Sequence, residues 1–406
     1  MEELTMVLNM ILVVLLSISL QAFSQERYDD LRIDCGASHR TPIGNPDGRV
    51  VSWLTDENFT YSGENQLLRY SQNFSTMNSL RYFPDGQKNC YFLPLYLSSS
   101  SPSGIKFLLR AGFYYGNYDG LSKPPSFNLE IDGNFWATVT TNSTSNNEPV
   151  YHEMIYWIEK GSAQVCLERI GDGIPFISSL EATVMFGDKM YRLMENKTAL
   201  LLHSRINYGA NNTIEQLIHD LDEYNRIWKS KEMPEYLNVV DERIVDNTMS
   251  GENYPPWPVM QTAIQAKNVS DSIYLSVNFS TQTTAVAYFV LYFRDPISRY
   301  PENSIAQVEI FINSQKLGAT DVPPYYRTII TGMFHAVSLY PVQVNGSANV
   351  TISPAENSTL PPLLNAMEVF SVVNMPHASK AGYLPNHFVA SLFTFLHLLA
   401  IIVFGH

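Results

Sequence analysis

Between its two ends, this chain has no apolar run long enough to cross a membrane. The apolar run at 6–20 is too short to span a bilayer and has the length of a signal-peptide core. Small residues follow at Ala22 and Ser24, so we predict a signal peptide over 1–24 with cleavage before Gln25. No Lys or Arg precedes the run, which leaves a signal anchor as the alternative.

The second apolar run, 388–404, is not followed by Lys or Arg, although a membrane helix normally leaves basic residues on its cytoplasmic side. Upstream, Ser379 and Ala381 are small and precede a short polar spacer, the pattern of a signal for a glycosylphosphatidylinositol (GPI) anchor. We therefore predict a linker over 374–387, lipid attachment at Ser379 and a hydrophobic tail over 388–406. A single-pass C-terminal membrane helix is the alternative. Either one places the protein on the extracellular face of the plasma membrane.

Positive charge is also scarce. The chain has 26 Lys and Arg against 39 Asp and Glu, a formal net charge of −13. An acidic surface repels phosphate backbones, so we expect no nucleic-acid partner. Charged residues make up only 16% of the chain, while 24 Tyr and 21 Phe are present. This composition is typical of β-rich secreted proteins.

Cysteines and catalytic motifs are few or missing. The three cysteines, Cys35, Cys90 and Cys166, allow at most one internal disulfide and leave one thiol, and the pairing stays open. The sequence has no G-x-S-x-G, H-E-x-x-H or P-loop motif, and its nine His show no metal-ligand spacing. We therefore expect no enzymatic activity, no cofactor and no metal.

Sites for N-linked glycans, in contrast, are abundant. A glycan cannot be buried, so each used N-x-[ST] site places its loop or strand edge in water. Behind a signal peptide, such sites predict a glycoprotein of the secretory pathway. The ten acceptors are Asn58, Asn73, Asn142, Asn196, Asn211, Asn268, Asn278, Asn345, Asn349 and Asn357.

Alternating apolar residues predict β-strands. In 105–115 every second residue is apolar, with Lys106 and Arg110 on the opposite side, the pattern of a strand with one buried face. Many short strands separated by Gly, Pro, Asn and Ser turns indicate antiparallel β-sandwiches. Further strands are predicted at 89–97, 127–131, 150–158, 163–169 and 180–186, and a helix only at 213–224.

The second half of the chain repeats two elements of the first. Residues 127–133 match 308–314, three alternating apolar residues followed by a turn pair. Residues 175–181 match 362–368, and each leads from a proline into an apolar strand. Two elements in the same order predict the duplication of one sandwich. We place the first domain at 25–200 and the second at 201–373.

Several motifs appear in a fixed order: IDCG at 33–36, RYFPDG at 81–86, RAGFYYGNYD at 110–119, PFISSLE at 175–181, YNRIW at 224–228 and LNAMEV at 364–369. From about 31 to 373 the chain resembles the plant malectin-like ectodomain, found ahead of leucine-rich repeats in many receptor-like kinases. The resemblance implies an all-β fold of two tandem malectin-like β-sandwich domains, jelly-roll-like with few short helices. Because the anchor signal follows the second unit directly, we expect no kinase and signalling through a partner.

An aromatic loop is the strongest candidate for a ligand site. Sugars are bound by aromatic faces together with amide or carboxylate groups that orient hydroxyls. Tyr115 is in phase with the buried face of its strand, so core packing is the favoured interpretation there; for its neighbours, core and ligand contact are both open. The candidate ligand-binding residues are Tyr114, Asn117, Tyr118 and Asp119 in the loop, and Phe135 and Trp136 at a second tip.

Two functions follow from these patterns. The first is recognition of cell-wall or glycoprotein carbohydrate that feeds into receptor-kinase signalling. The alternative is a co-receptor or decoy that binds a secreted peptide or a receptor-like kinase ectodomain, through an unglycosylated face around Tyr254–Trp257 in the cleft between the units. The resemblance implies both: animal malectin binds a glucose disaccharide with loop aromatics, whereas plant relatives often bind secreted peptides or partner receptors.

Overall fold

A computed structural model describes residues 28–44, 50–68, 75–95, 104–141, 148–159, 161–211, 213, 222, 224–241, 251–279, 284–296, 304–323 and 333–376. The predicted signal peptide, Ser379, the C-terminal tail, the acceptors Asn73 and Asn142, and most of the predicted helix at 213–224 lie outside these ranges. Within the described ranges, no helix is both long and apolar enough to cross a membrane.

Strands form nearly all of the regular structure, as the sequence predicts. The first thirteen are β1 Asp30–Asp34, β2 Thr41–Gly44, β3 Val50–Thr55, β4 Glu64–Leu67, β5 Ser79–Tyr82, β6 Lys88–Pro94, β7 Ile105–Phe113, β8 Ser126–Ile131, β9 Asn134–Thr140, β10 Val150–Ile158, β11 Ser162–Arg169, β12 Phe176–Ile177 and β13 Ser179–Met185. The remainder are β14 Thr198–Tyr208, β15 Lys229–Lys231, β16 Leu237–Val240, β17 Thr262–Gln265, β18 Ile273–Asn278, β19 Thr284–Phe293, β20 Gln307–Ile312, β21 Gln315–Asp321, β22 His335–Asn345, β23 Ser347–Pro354, β24 Leu363–Leu364 and β25 Ala366–Asn374. The helical turns are a 3₁₀ turn, Ser75–Met77, and α1, Trp257–Met260.

The first sandwich packs two sheets around one hydrophobic core. One sheet has the order β1-β13-β7-β10-β14, the other β6-β11-β8-β9, and a small sheet β12-β5-β4 lies beside them. Phe107, Leu109 and Phe113 of β7 are fully buried in this core together with Phe127 and Leu129 of β8. The apolar alternation read from the sequence is therefore the inner face of the sandwich, where each such side chain contributes about 1.5–3 kcal/mol.

The second sandwich repeats this arrangement. Its sheets are β14-β25-β19-β22 and β18-β23-β20-β21, with a small sheet β16-β17-β24 beside them. The hairpin β8–β9 corresponds to β20–β21, and the turn residues Asp132 and Asn313 both have φ 51°. A side-chain contact is repeated too: Ser79 donates to Asp34 over 2.8 Å in the first unit, and Thr262 donates to Asn207 over 2.8 Å in the second. Two tandem β-sandwiches are confirmed.

A close backbone approach recurs in both units and explains a glycine in each. Gly36 has φ 77°, and a Cβ there would lie 2.0 Å from the carbonyl oxygen of Leu80. Gly209 has φ 73°, and a Cβ there would lie 2.7 Å from the carbonyl oxygen of Ala263. Only glycine tolerates both the left-handed conformation and the contact.

Strand β14 belongs to both sandwiches. It pairs antiparallel with β10 of the first unit and with β25 of the second. It also holds the position in the second unit that β1 holds in the first: β1 pairs in parallel with β3, and β14 in parallel with β15. The domain division at 200/201 remains a prediction, and it falls inside this shared strand.

The fold decides the disulfide pairing that the sequence left open. Cys90 and Cys166 are direct cross-strand partners on β6 and β11, and they form a disulfide with a Cα–Cα distance of 4.0 Å. Cys35 is a buried free thiol at the end of β1. Its burial raises the pKa well above the usual range, so the thiol is unreactive in the folded protein.

His152 on β10 predicts a loss of stability in mild acid. Its ring lies 6.0 Å from Phe113, and burial lowers its pKa from 6.5 to about 4. Between these values the unfolded chain binds more protons than the folded one, so stability is full above pH 6.5 and falls as the pH drops toward 4. Between pH 7 and pH 4 this histidine lowers the free energy of unfolding by about 2–3 kcal/mol, and we expect His152→Gln to abolish that loss.

The measurement is urea unfolding at several pH values between 4 and 7. His39→Gln, which removes an imidazole at an exposed position, is the matched control. A His152→Gln profile that runs parallel to the wild type would contradict the assignment.

Candidate functional site

The predicted ligand loop begins where β7 ends at Phe113. Tyr114 and Tyr115 are both buried, so neither presents an aromatic face to a ligand. The core interpretation of Tyr115 agrees with this placement. Its hydroxyl donates to the carboxylate of Asp119 and accepts from the backbone N–H of Lys123. Burial, followed by the hydrogen bond to Asp119, raises the pKa of Tyr115 to about 12.

The polar side chains of the loop are engaged within the loop itself. The Oδ1 atom of Asn117 accepts from the backbone N–H of Ser122 over 2.8 Å, and Oδ1 of Asp119 accepts from the N–H of Leu121 over 3.0 Å. Asn117 and Ser122 have φ of 53° and 52°, so these bonds hold the backbone in a left-handed conformation. Asn117 and Asp119 therefore build the loop, and these oxygen atoms do not face a ligand.

Tyr118 extends the aromatic core toward the surface. Its ring centroid lies 5.4 Å from Tyr82, 5.6 Å from Phe176 and 5.7 Å from Tyr115. Its hydroxyl is buried and has no hydrogen-bond partner among the residues that the structure describes, and burial raises its pKa. The three neighbouring rings leave Tyr118 little open face on which a sugar could stack.

Phe135 and Trp136 lie at the opposite end of the first sandwich. They follow the Asp132–Gly133 turn at the end of β8. Tyr118 instead packs against Phe176, which in turn packs against Phe127 near the start of β8. Phe135 pairs with Glu130, three residues along β8 from Phe127, a distance of about 10 Å along the strand. Phe135 is 58% exposed and Trp136 is buried. The structure therefore does not join the two predicted aromatic tips into one site.

A second constellation, which sequence reasoning missed, lies where the two sandwiches meet. Charged side chains of alternating sign cross five adjacent strands: Glu181 on β13, Arg110 on β7, Glu153 on β10, Arg205 on β14 and Glu368 on β25. The successive ion pairs measure 3.2, 2.8, 2.8 and 2.6 Å. All five residues are buried. The alternation in 105–115 predicts Arg110 opposite the buried face, but the structure buries that side as well.

The cover over this charge ladder is the segment 224–228, together with Asp222. The carbonyl of Asn225 accepts from Arg110 over 2.6 Å, and its amide donates to Glu181 over 3.0 Å. Arg226 donates to Asp222 over 2.9 Å, and the indole N–H of Trp228 donates to the same carboxylate over 2.8 Å. The segment thus supplies both polar partners and an apolar lid for the buried charges.

The ladder keeps the carboxylate of Glu153 ionised in spite of burial. Burial alone would raise the pKa of Glu153, but Arg205 and Arg110 outweigh it and hold that pKa below its usual range. Glu368 accepts hydrogen bonds from the hydroxyls of Tyr191 over 2.9 Å and Tyr292 over 2.5 Å. Such a network ties the two sandwiches together, and the side chains of its five charged members are buried.

The comparisons with known proteins agree with this architecture. A family model described as a malectin-like domain matches residues 33–372. The chain belongs to the malectin-like domain family. A leucine-rich repeat receptor-like serine/threonine-protein kinase of Arabidopsis thaliana is 29% identical over 363 residues, which cover 87% of this chain and 39% of that kinase. An Arabidopsis thaliana protein described as uncharacterized is 29% identical over 383 residues, covering 92% of this chain and 70% of that protein.

Solved structures show the same malectin-like fold. The extracellular domain of ANXUR2 from Arabidopsis thaliana has a TM-score of 0.63 at 17% identity, covering 88% of this chain and 99% of that chain. A chain in the crystal structure of the plant peptide RALF23 in complex with FER and LLG2 has a TM-score of 0.58 at 16% identity, covering 89% and 100%. At this identity the likeness establishes the fold alone.

The malectin-like motifs of the sequence meet at the charge ladder. RAGFYYGNYD supplies Arg110, PFISSLE supplies Glu181, YNRIW supplies the covering segment and LNAMEV supplies Glu368. A charged residue repeated at the same place in the two matched segments, Glu181 and Glu368, was the signal that could have revealed the ladder. Within this malectin-like chain, the strongest sequence motifs therefore mark a structural junction.

The predicted interface around Tyr254–Trp257 covers part of the same junction. The carbonyl of Tyr254 accepts from Arg226 over 2.6 Å, and the Trp257 ring lies 4.3 Å from the guanidinium of Arg294. Arg294 in turn donates to Asp241 over 3.1 Å. The chain's own residues thus fill the cleft between the units at this point.

The glycan acceptors behave as the sequence predicts for surface positions. All eight acceptors in the described ranges are exposed: Asn58, Asn196, Asn211, Asn268, Asn278, Asn345, Asn349 and Asn357. Three of them, Asn278, Asn345 and Asn349, lie on the neighbouring strands β18, β22 and β23. Glycan attachment itself stays a prediction.

The second unit also has a concave patch on its surface. This surface depression has a volume of about 460 Å³ and lies beside Asn268 and Leu360. None of its lining residues belongs to the aromatic loop at 114–123. In the ranges that the structure describes, no group of three or more His, Cys, Asp or Glu is placed to hold a metal ion.

Proposed function

We propose that this malectin-like chain is an extracellular protein-recognition module that binds a secreted peptide or the ectodomain of a receptor-like kinase. The observation that carries the proposal is the chemistry of the 114–123 loop. Its amide and carboxylate oxygens serve the loop's own backbone and Tyr115, and Leu121 at its tip is 72% exposed. A loop that is held by its own hydrogen bonds and presents an exposed aliphatic side chain offers apolar surface to the core of a protein interface.

Carbohydrate recognition, the other prediction, has less support from this geometry. A sugar site needs an open aromatic face and free polar groups around it. Tyr114 and Trp136 are buried, the ring of Tyr118 is packed among three others, and Asp119 accepts two hydrogen bonds inside the loop. Binding of a saccharide by this loop is the main competing outcome of the experiment below.

The relatives support a protein partner. The receptor kinases that match this chain carry the malectin-like region as part of a longer protein. FER, whose ectodomain shares the fold, occurs in a complex with the peptide RALF23 and LLG2. We propose the same class of partner for this chain, a secreted peptide or another extracellular protein.

We further propose that the chain is a glycoprotein held at the outer face of the plasma membrane by lipid at Ser379 or by a C-terminal membrane helix. The exposed acceptors and the two apolar ends support this location. Phospholipase treatment of intact cells separates the two anchors, because it releases a lipid-anchored protein and leaves a membrane helix in place.

The binding test uses the secreted protein against immobilised malectin-like ectodomains, a panel of synthetic secreted peptides and, in parallel, a glycan array. We expect Leu121→Asp to weaken binding to the protein or peptide partner at least tenfold, about 1.4 kcal/mol. Tyr274→Asp is the control, since Tyr274 is 64% exposed on β18 of the second unit and should leave binding unchanged. Glycan-array binding that Tyr118→Ala abolishes, with no protein or peptide binding, would overturn the proposal.

A further inference from the structure

The depression of about 460 Å³ in the second sandwich has walls of fixed geometry. One wall carries Asn268 and Val269, and the other carries Thr359, Leu360 and Pro361. A backbone hydrogen bond of 3.0 Å from Ala266 to Pro362 and one of 2.8 Å from Thr359 to Ile305 hold the two walls in place.

One lining residue is itself a site for a covalent saccharide. Asn268 begins the sequence Asn-Val-Ser, and its side chain is exposed. Its amide nitrogen donates to Oδ2 of Asp271 over 2.7 Å, and its backbone N–H donates to the same oxygen over 3.1 Å. A glycosylated amide keeps one N–H, which is available to donate to Asp271 and so to orient the first sugar.

We propose that the first sugars of an N-linked glycan on Asn268 pack into this depression. Val269, Leu360 and Pro361 offer apolar surface to the C–H face of a pyranose ring and to an acetamido methyl group. The ammonium of Lys267 stands among the lining groups as a donor to sugar hydroxyls. The hydroxyl of Thr359 accepts from the N–H of Ile305 over 2.9 Å and donates to its carbonyl over 3.3 Å, which leaves one lone pair as an acceptor for a sugar hydroxyl.

Because the glycan is covalently attached, weak contacts are sufficient to hold its first sugars in the depression. A free saccharide would lose translational and rotational freedom on binding, whereas a glycan on Asn268 is already held at the site at a high effective concentration. The seated glycan covers apolar surface at this end of the second unit and keeps partners away from it. The inference rests on the proposed extracellular location, which exposes the chain to glycosylation, but not on the identity of any binding partner.

The test is site-resolved glycopeptide mass spectrometry on the full chain, secreted with uniform oligomannose glycans and digested under native conditions with an endoglycosidase. We expect release from Asn268 to be about tenfold slower than from Asn58, which is exposed on a turn of the first unit. Leu360→Ser should speed release at Asn268 and leave Asn58 unchanged. Val269→Ser, which keeps the glycan acceptor sequence at an exposed position, should do the same.

Equal release rates at the two asparagines in the wild type would overturn the inference, as would an unoccupied Asn268 on a protein glycosylated at Asn58. A chain without any glycan would instead count against the extracellular location on which both proposals depend. The Leu121→Asp binding experiment is independent of these outcomes, so the two proposals fail separately.

Discussion

Replacing Arg205 with alanine should lower the free energy of unfolding by about 3–5 kcal/mol, the cost of breaking a buried ion pair from one side. Arg205 lies 2.8 Å from Glu153 and 2.6 Å from Glu368, and all three are buried. Its removal leaves two carboxylates without their shared cation in a place that water does not reach. Because β14 belongs to both sandwiches, we expect the two units to unfold in one transition in wild type and variant alike.

Guanidinium unfolding followed by circular dichroism measures this effect. Lys88→Ala is the control: Lys88 is 40% exposed and pairs with Glu130 over 2.7 Å, so its loss should cost no more than about 1 kcal/mol. The double variant Arg205→Ala, Glu368→Gln should be less destabilised than the sum of the single variants, since the two residues share one interaction. An Arg205→Ala protein within about 1 kcal/mol of the wild type would show that the ladder adds nothing to stability.

Removing the Cys90–Cys166 disulfide should cost about 4 kcal/mol, because the bridge closes a loop between residues 76 apart and restricts the unfolded chain. The double variant Cys90→Ala, Cys166→Ala tests this by guanidinium unfolding. Reduced wild-type protein should unfold at a similar denaturant concentration, since it lacks the same covalent link.

Thiol counting supplies the independent check on this pairing. The folded protein should show no reactive thiol, and the unfolded, unreduced protein should show one, that of Cys35. Three reactive thiols after unfolding without reductant would refute the disulfide. Cys35→Ala serves as the control and should leave the disulfide-dependent part of the stability intact.

The sequence predicted the strands well because each strand contributes one face to a core. In β7 the inward residues Phe107, Leu109 and Phe113 alternate with others, and a period of two is readable from any single segment. The duplication was readable for the same reason: β8 and β20 carry the same alternation and lead into turns of the same backbone conformation. In β7, β8 and β20 the residues that alternate in the sequence are therefore the ones that the fold buries.

The candidate ligand residues were harder to place, because the same residue types build cores and ligand sites. Phe135 and Trp136 are neighbours in β9, so one must point outward and one inward, and the strand's register decides which. In the loop, Asn117 and Asp119 carry groups suited to a sugar, but their backbone conformation makes them loop-forming residues. No local signal distinguishes these uses.

The amino-acid sequence alone determined the fold class, the repeated sandwich, the family and the acceptor positions. Each of these follows from short-range periodicity or from short motifs that can be read in a single segment. Only the tertiary structure decided that Cys90 pairs with Cys166, that Arg110 is buried, and that Tyr254 and Trp257 contact the chain's own Arg226 and Arg294. Arg110 meets Asn225 across 115 residues of sequence, and the two come together because β14 is shared by both sheets. Contacts of that kind depend on strand order and register, which no single segment of the chain contains.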